Sequence, residues 1–127
     1  MSSPMATLDS EAGRFQSLWQ RSLLPDTDDN SIVIYQQIER NYSEPQRYYH
    51  TMAHIEHCLR MFDQCRHLLD NPDAVELSIW FHDVVYQPGA CDNEARSAKL
   101  YRSLSEQAHP VELRDRVDRL IMATLHM

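Results

Sequence analysis

From about residue 8 onward, the apolar residues of this chain recur at helical spacing. Only two glycines are present, at positions 13 and 89. So little glycine argues against β-hairpins and against glycine-rich phosphate loops. The chain therefore reads as all-α. A first helix is predicted over 8–23, with Leu8, Phe15, Leu18 and Trp19 on one side. The segment "LLPDTDDN" ends it, and the Asp28–Asn30 cluster offers a cap to a second helix over 30–41, which buries Ile34, Tyr35 and Ile38. A loop follows around Pro45. A third helix is predicted over 48–69, with Ile55, Leu59, Phe62 and Leu69 as its core stripe.

"DNPDAVE" restarts the chain. Asn71 caps, Pro72 takes the first helical position, and Asp73 and Glu76 sit near the positive helix end. The fourth helix, 72–86, carries "AVELSIWFHDVVY". It is apolar nearly all round, so it is expected to be the central, most buried helix. "QPGACD" is a turn, Asp92 caps a fifth helix over 93–107, and Pro110 opens a sixth that runs to the end.

At 127 residues the chain reads as one domain, large enough to bury roughly two-thirds of its unfolded surface. The formal charge of −7 gives no electrostatic reason to bind nucleic acid. Eleven of the twelve basic residues are arginines; the exception is Lys99. Cys58, Cys65 and Cys91 are odd in number and form no CxxC, which suits a reducing, cytoplasmic setting. No run reaches the ~18 apolar residues of a membrane helix, and the start "MSSPMATLDSE" lacks the features of a signal peptide.

The chemistry concentrates in two stretches. "RYYHTMAHIEHC" places His50, His54 and His57 at i, i+4 and i+7, within about 60° of one another if the whole stretch is helical. Side chains so placed can share a metal ion or a substrate, or they can form a solvated polar face. "IWFHDVVY" sets His82 beside Asp83 inside an apolar run. A carboxylate there is costly unless it is paired or bound to a cation. Neighbours on a helix point about 100° apart, so the two meet one ion only over the helix edge. A structural hydrogen bond is the alternative.

Together the stretches resemble the HD superfamily of metal-dependent phosphohydrolases. "YHTMAH" resembles the YHxxxH element of the cyclic-nucleotide phosphodiesterases within it, and "FHDVVYQPG" resembles the segment that follows. With "DNEARSA" and "LIMATLH", the chain over about 40–127 is similar to a small bacterial group of predicted HD-type phosphohydrolases.

The resemblance implies an HD-like bundle of about six helices, with 1–7 as a tail, 8–41 as N-terminal helices and 42–127 as the HD core. It implies His54, His82 and Asp83 as ligands of a divalent ion (Mn, Mg, Ni, Co, Zn or Fe), and His50 as the proton donor. Neutral imidazole and carboxylate suit such ions, which lower the pKa of bound water and polarise a phosphoryl oxygen. Glu94 and Asp92 are candidates to orient a ligand or the water. Arg47, Arg96 and His126 are candidates to meet a small phosphorylated substrate, possibly a nucleotide.

One departure stands out. HD domains close the site with an aspartate on a later helix, and none follows "LIMATLH". Val117, Leu120, Ile121 and Leu125 continue at helical spacing with no stop signal after them, so the chain is expected to lack C-terminal helices of a longer domain. Asp92 and Asp118 are the nearest substitutes for the missing ligand. Two other readings remain: a di-iron oxygenase in which His50, His57 and His126 serve a second metal, and a non-catalytic helical binding module. A homo-oligomer stays open.

Overall fold

The apolar positions predicted for the first helix are the ones around which the core assembles. Phe15, Leu18 and Trp19 have no exposed surface. The Phe15 ring lies 5.7 Å from Trp19, 5.3 Å from Trp80 and 6.1 Å from Phe81, a cluster of aromatic rings from two helices. Each such side chain contributes roughly 1.5–3 kcal/mol by leaving water.

The computed structural model describes residues 10–124, and over them the protein is all-α. Six helices follow in order: α1 (Ser10–Arg21), α2 (Ser31–Tyr42), α3 (Met52–Cys65), α4 (Pro72–Phe81), α5 (Asn93–Ser105) and α6 (Val111–Ala123). A 3-10 turn, Arg66–Leu68, extends α3. Leu8, Leu125 and His126 lie outside the described residues.

α4 is the central helix. It packs against α3, α5 and α6, while α1 pairs with α2 and α5 with α6. Ala74, Leu77, Trp80 and Phe81 are fully buried, as its apolar pattern requires. Its start is the predicted one: the Asn71 side chain accepts the Ala74 N–H at 3.2 Å and Pro72 takes the first turn. Such a cap is worth about 1 kcal/mol. Glu76, read from sequence as an acid near the positive helix end, is buried. Arg14 donates to it at 2.7 Å, and Arg21 and Arg66 each lie 3.8 Å away.

Several helix ends and two caps differ from expectation. α3 begins at Met52 rather than 48, because Thr51 is extended (φ −118°, ψ 177°) and 48–51 are bends. α4 ends at Phe81 rather than 86, with His82 as its C-cap. Asn30 does not cap α2 with its side chain, which instead accepts the Trp19 indole N–H at 2.8 Å; Asp29 accepts the Ser31 N–H. Asp92 does not cap α5 either, and Asn93 ties itself to both backbone groups of Gln87. Gly89 stands at φ +80°, so the turn after α4 uses the left-handed region that glycine tolerates best.

Candidate metal centre

α3 and the end of α4 come together so that His54, His82 and Asp83 each offer a ligand atom within 4.8 Å of the others. This cluster could hold a metal ion. It lies on a cleft of about 510 Å³ that is also lined by His50, Cys58 and Glu94. The His54 and His82 rings stand 5.6 Å apart, and the His50 and His54 rings 6.3 Å apart.

His82 is set by its own helix. Its Nδ1 lies 2.7 Å from the Ile79 carbonyl oxygen. A carbonyl only accepts, so Nδ1 carries the proton and Nε2 is the nitrogen turned to the cleft. Nε2 then lies 3.3 Å from Asp83 Oδ2. A bare imidazole lone pair and a carboxylate oxygen at that distance repel unless a positive charge, a proton or a metal cation, is shared between them. The titration of both groups reflects this. Burial works against charge on His82, yet the Asp83 carboxylate outweighs it and raises the His82 pKa. Burial likewise works against the Asp83 charge, but His82 and then His50 outweigh it and hold the carboxyl well below the usual range.

The same Asp83 oxygen accepts from His50 Nδ1 at 2.7 Å, and the His50 ring stacks on Tyr86 at 4.2 Å between centroids. His54 behaves differently. Burial, followed by the proximity of His82, lowers its pKa, which favours the neutral imidazole that coordination requires. Its Nε2 sits 3.6 Å from the Cys58 thiol, which burial and then Asp83 keep protonated.

The structure thus brings together His50, His54, His82, Asp83 and Glu94 of the predicted set. His50 reaches the cleft from the loop before α3, not from a helical stripe, because the helix starts two residues after it. His57, on the predicted stripe, is exposed. Arg47 is not a surface group waiting for phosphate; its guanidinium is buried against backbone carbonyls. Arg96 borders a different hollow, with Gln87 and Tyr86, and donates to Gln87. His126 lies outside the described residues.

The two stand-ins for a missing aspartate do not join the cluster. Asp118 pairs with Arg102, and Asp92 is exposed at the start of α5. Cys58 and Thr124 also line the cleft. Cys58 is foreshadowed by its place one turn after His54, whereas nothing in the local sequence points to Thr124. Among the described residues, no helix is long and apolar enough to cross a membrane. Comparison with known protein families, with curated proteins and with solved structures gives no match for this chain.

Proposed function

We propose that this cleft is an HD-type divalent-metal site and that the protein hydrolyses the phosphate ester of a small molecule, nucleotides among the candidates. The observation that carries the reading is the approach of His82 Nε2 and Asp83 Oδ2 to 3.3 Å, with a neutral His54 completing the cluster. Such a set of two imidazoles and one carboxylate suits Mn, Fe, Co, Ni or Zn better than it suits Mg.

No arginine or lysine is among the described residues lining the cleft. The positive charge that a phosphate requires must then come from the ion and from histidine. When bound, the ion supplies Lewis acidity toward a phosphoryl oxygen and an acidified water. His50 has its Nδ1–H committed to Asp83, which orients the ring and leaves Nε2 as the nitrogen that can pass a proton to the leaving oxygen. Glu94 lines the same cleft, and in this reading it accepts a hydrogen bond from the attacking water. The three free cysteines fit a reducing, cytoplasmic setting.

The test is metal analysis of protein purified without chelator, followed by hydrolysis of p-nitrophenyl phosphate and nucleoside monophosphates with each of Mn, Mg, Fe, Co, Ni and Zn. Stoichiometric metal and metal-dependent phosphate release are expected. Protein that retains none of these ions and releases no phosphate with any of them refutes the proposal.

A further inference from the structure

Arg47 offers five N–H donors, and each has a partner. Nε and Nη2 reach Glu44 Oε1 at 3.2 and 3.1 Å. Nη1 reaches the carbonyl oxygens of His50 at 2.8 Å and of Asp83 at 2.7 Å. Nη2 also reaches the Val84 carbonyl at 2.9 Å. The guanidinium is covered by two rings, Tyr42 at 4.8 Å and Tyr86 at 5.7 Å from its central carbon. Arginine is the one side chain with five donors in a rigid plane.

One nitrogen, Nη1, therefore holds the backbones of His50 and Asp83 together. These are the residues whose side chains meet at 2.7 Å in the cleft. The Asp83 backbone is fixed from its other end as well: its N–H donates to the Tyr42 hydroxyl at 3.2 Å, which in turn donates to the Trp80 carbonyl at 2.9 Å. The loop before α3 has no helical hydrogen bonds to hold His50 in register. It is tied to the segment after α4 by this guanidinium, by a longer bond from the Gln46 side chain to the Tyr86 carbonyl at 3.5 Å, and by the stacking of His50 on Tyr86.

We propose that Arg47 is the positioning residue of the His50–Asp83 pair: by clasping both carbonyls it fixes the hydrogen bond between the two side chains. The effect on turnover rests on the hydrolase reading above, whereas the pairing itself does not need the ion. Glu44 serves as the anchor. Its side chain is 41% exposed, so its ion pair adds little stability, but it aims the fork.

The experiment uses the full chain, metal-free, carrying Arg47→Lys or Glu44→Ala. The probe is the low-field His50 Nδ1–H resonance and the ring tautomer by long-range 15N–1H NMR, assigned by its loss in His50→Gln. Zn2+ titration, melting and, where hydrolysis occurs, kcat and KM follow. Arg47→Lys is expected to lose the protected His50 signal while His54, His82 and Asp83 still bind Zn2+. Turnover should fall ~10–100-fold, carried by kcat and not by KM, as is usual when a group behind a catalytic residue is removed. Glu44→Ala should shift or broaden the same resonance.

A His50 signal unchanged in both variants, even with a lowered melting temperature, overturns the proposal and leaves Arg47 as a brace of the fold. If Arg47→Lys does not fold, the Glu44→Ala spectrum alone decides. Wild-type protein that fails to bind Zn2+ counts against the hydrolase reading and leaves the resonance test standing.

Discussion

His109 should make this protein acid-sensitive. It sits at the turn between α5 and α6 with no exposed surface, its ring 4.1 Å from that of Trp19 and its Nδ1 2.9 Å from the Tyr101 hydroxyl. Burial, opposed by contact with the Trp19 backbone and reinforced by the charge of Arg114, pulls its pKa down from 6.5 to about 4. The fold therefore holds the neutral ring, and the unfolded chain takes up the proton first. The contribution is complete above the unfolded value of 6.5, declines as pH falls, and is fully lost below about 4. The difference of about 2.5 pH units is worth about 3 kcal/mol, a large share of the ~5–15 kcal/mol that holds a typical domain together. The assay is urea unfolding at stepped pH for the wild type and His109→Gln. The glutamine lowers stability at neutral pH but does not titrate. All the carboxylates are common to both proteins, so they cancel in the difference. The wild type should lose its advantage at about 1.4 kcal/mol per pH unit below its unfolded pKa. A difference between the two proteins that stays flat down to about pH 4 would refute the reasoning.

Two further outcomes are expected. On the hydrolase reading, His54→Ala should abolish metal retention, whereas His50→Ala should keep the metal and slow turnover by ~10²–10⁴-fold; equal loss of metal in both, by elemental analysis, makes His50 a ligand. Glu76→Ala should cost about 2 kcal/mol by chemical denaturation, short of the ~3–5 kcal/mol of a stranded buried charge, because Arg14 keeps its bonds to Asp63 at 2.8 and 2.9 Å.

The helices were legible because each is long enough to repeat its apolar face. Phe15, Leu18 and Trp19, or Ile34 and Ile38, announce a buried side without reference to any other part of the chain. The Asn71-Pro72 start was legible for the same reason, since its partner Ala74 is three residues away. What could not be read is what depends on distant residues. Glu76 reads as an acid near the positive end of α4, and its burial is explained by Arg14, sixty-two residues earlier, with Arg21 and Arg66 each 3.8 Å away. The Asp28–Asn30 cluster does not announce which member serves the helix start: Asp29 takes the Ser31 N–H, while Trp19 claims the Asn30 side chain. Arg47 looks like a phosphate contact until three carbonyls from two segments saturate it.

The candidate site was reached through residue types at the right spacing, yet the assumed backbone was wrong at the point that matters most. An unbroken helix through Tyr86 would turn His82 and Asp83 about 100° apart and leave the carboxylate unable to reach its neighbour's ring directly. The helix stops at Phe81 instead. His82 keeps one last helical bond, its N–H to the Ser78 carbonyl at 2.8 Å, and so keeps the orientation of α4. Asp83 has left the helix, and its backbone is taken over by Tyr42 and Arg47. Freed from helical geometry, its carboxylate turns back to within 3.3 Å of His82 Nε2 and 2.7 Å of His50 Nδ1. Adjacent residues converge on one point because a helix ends between the apolar face that buries them and the polar contacts that aim them. Extending α4 by a single turn would pull Asp83 out of the cluster even though every residue of it were kept.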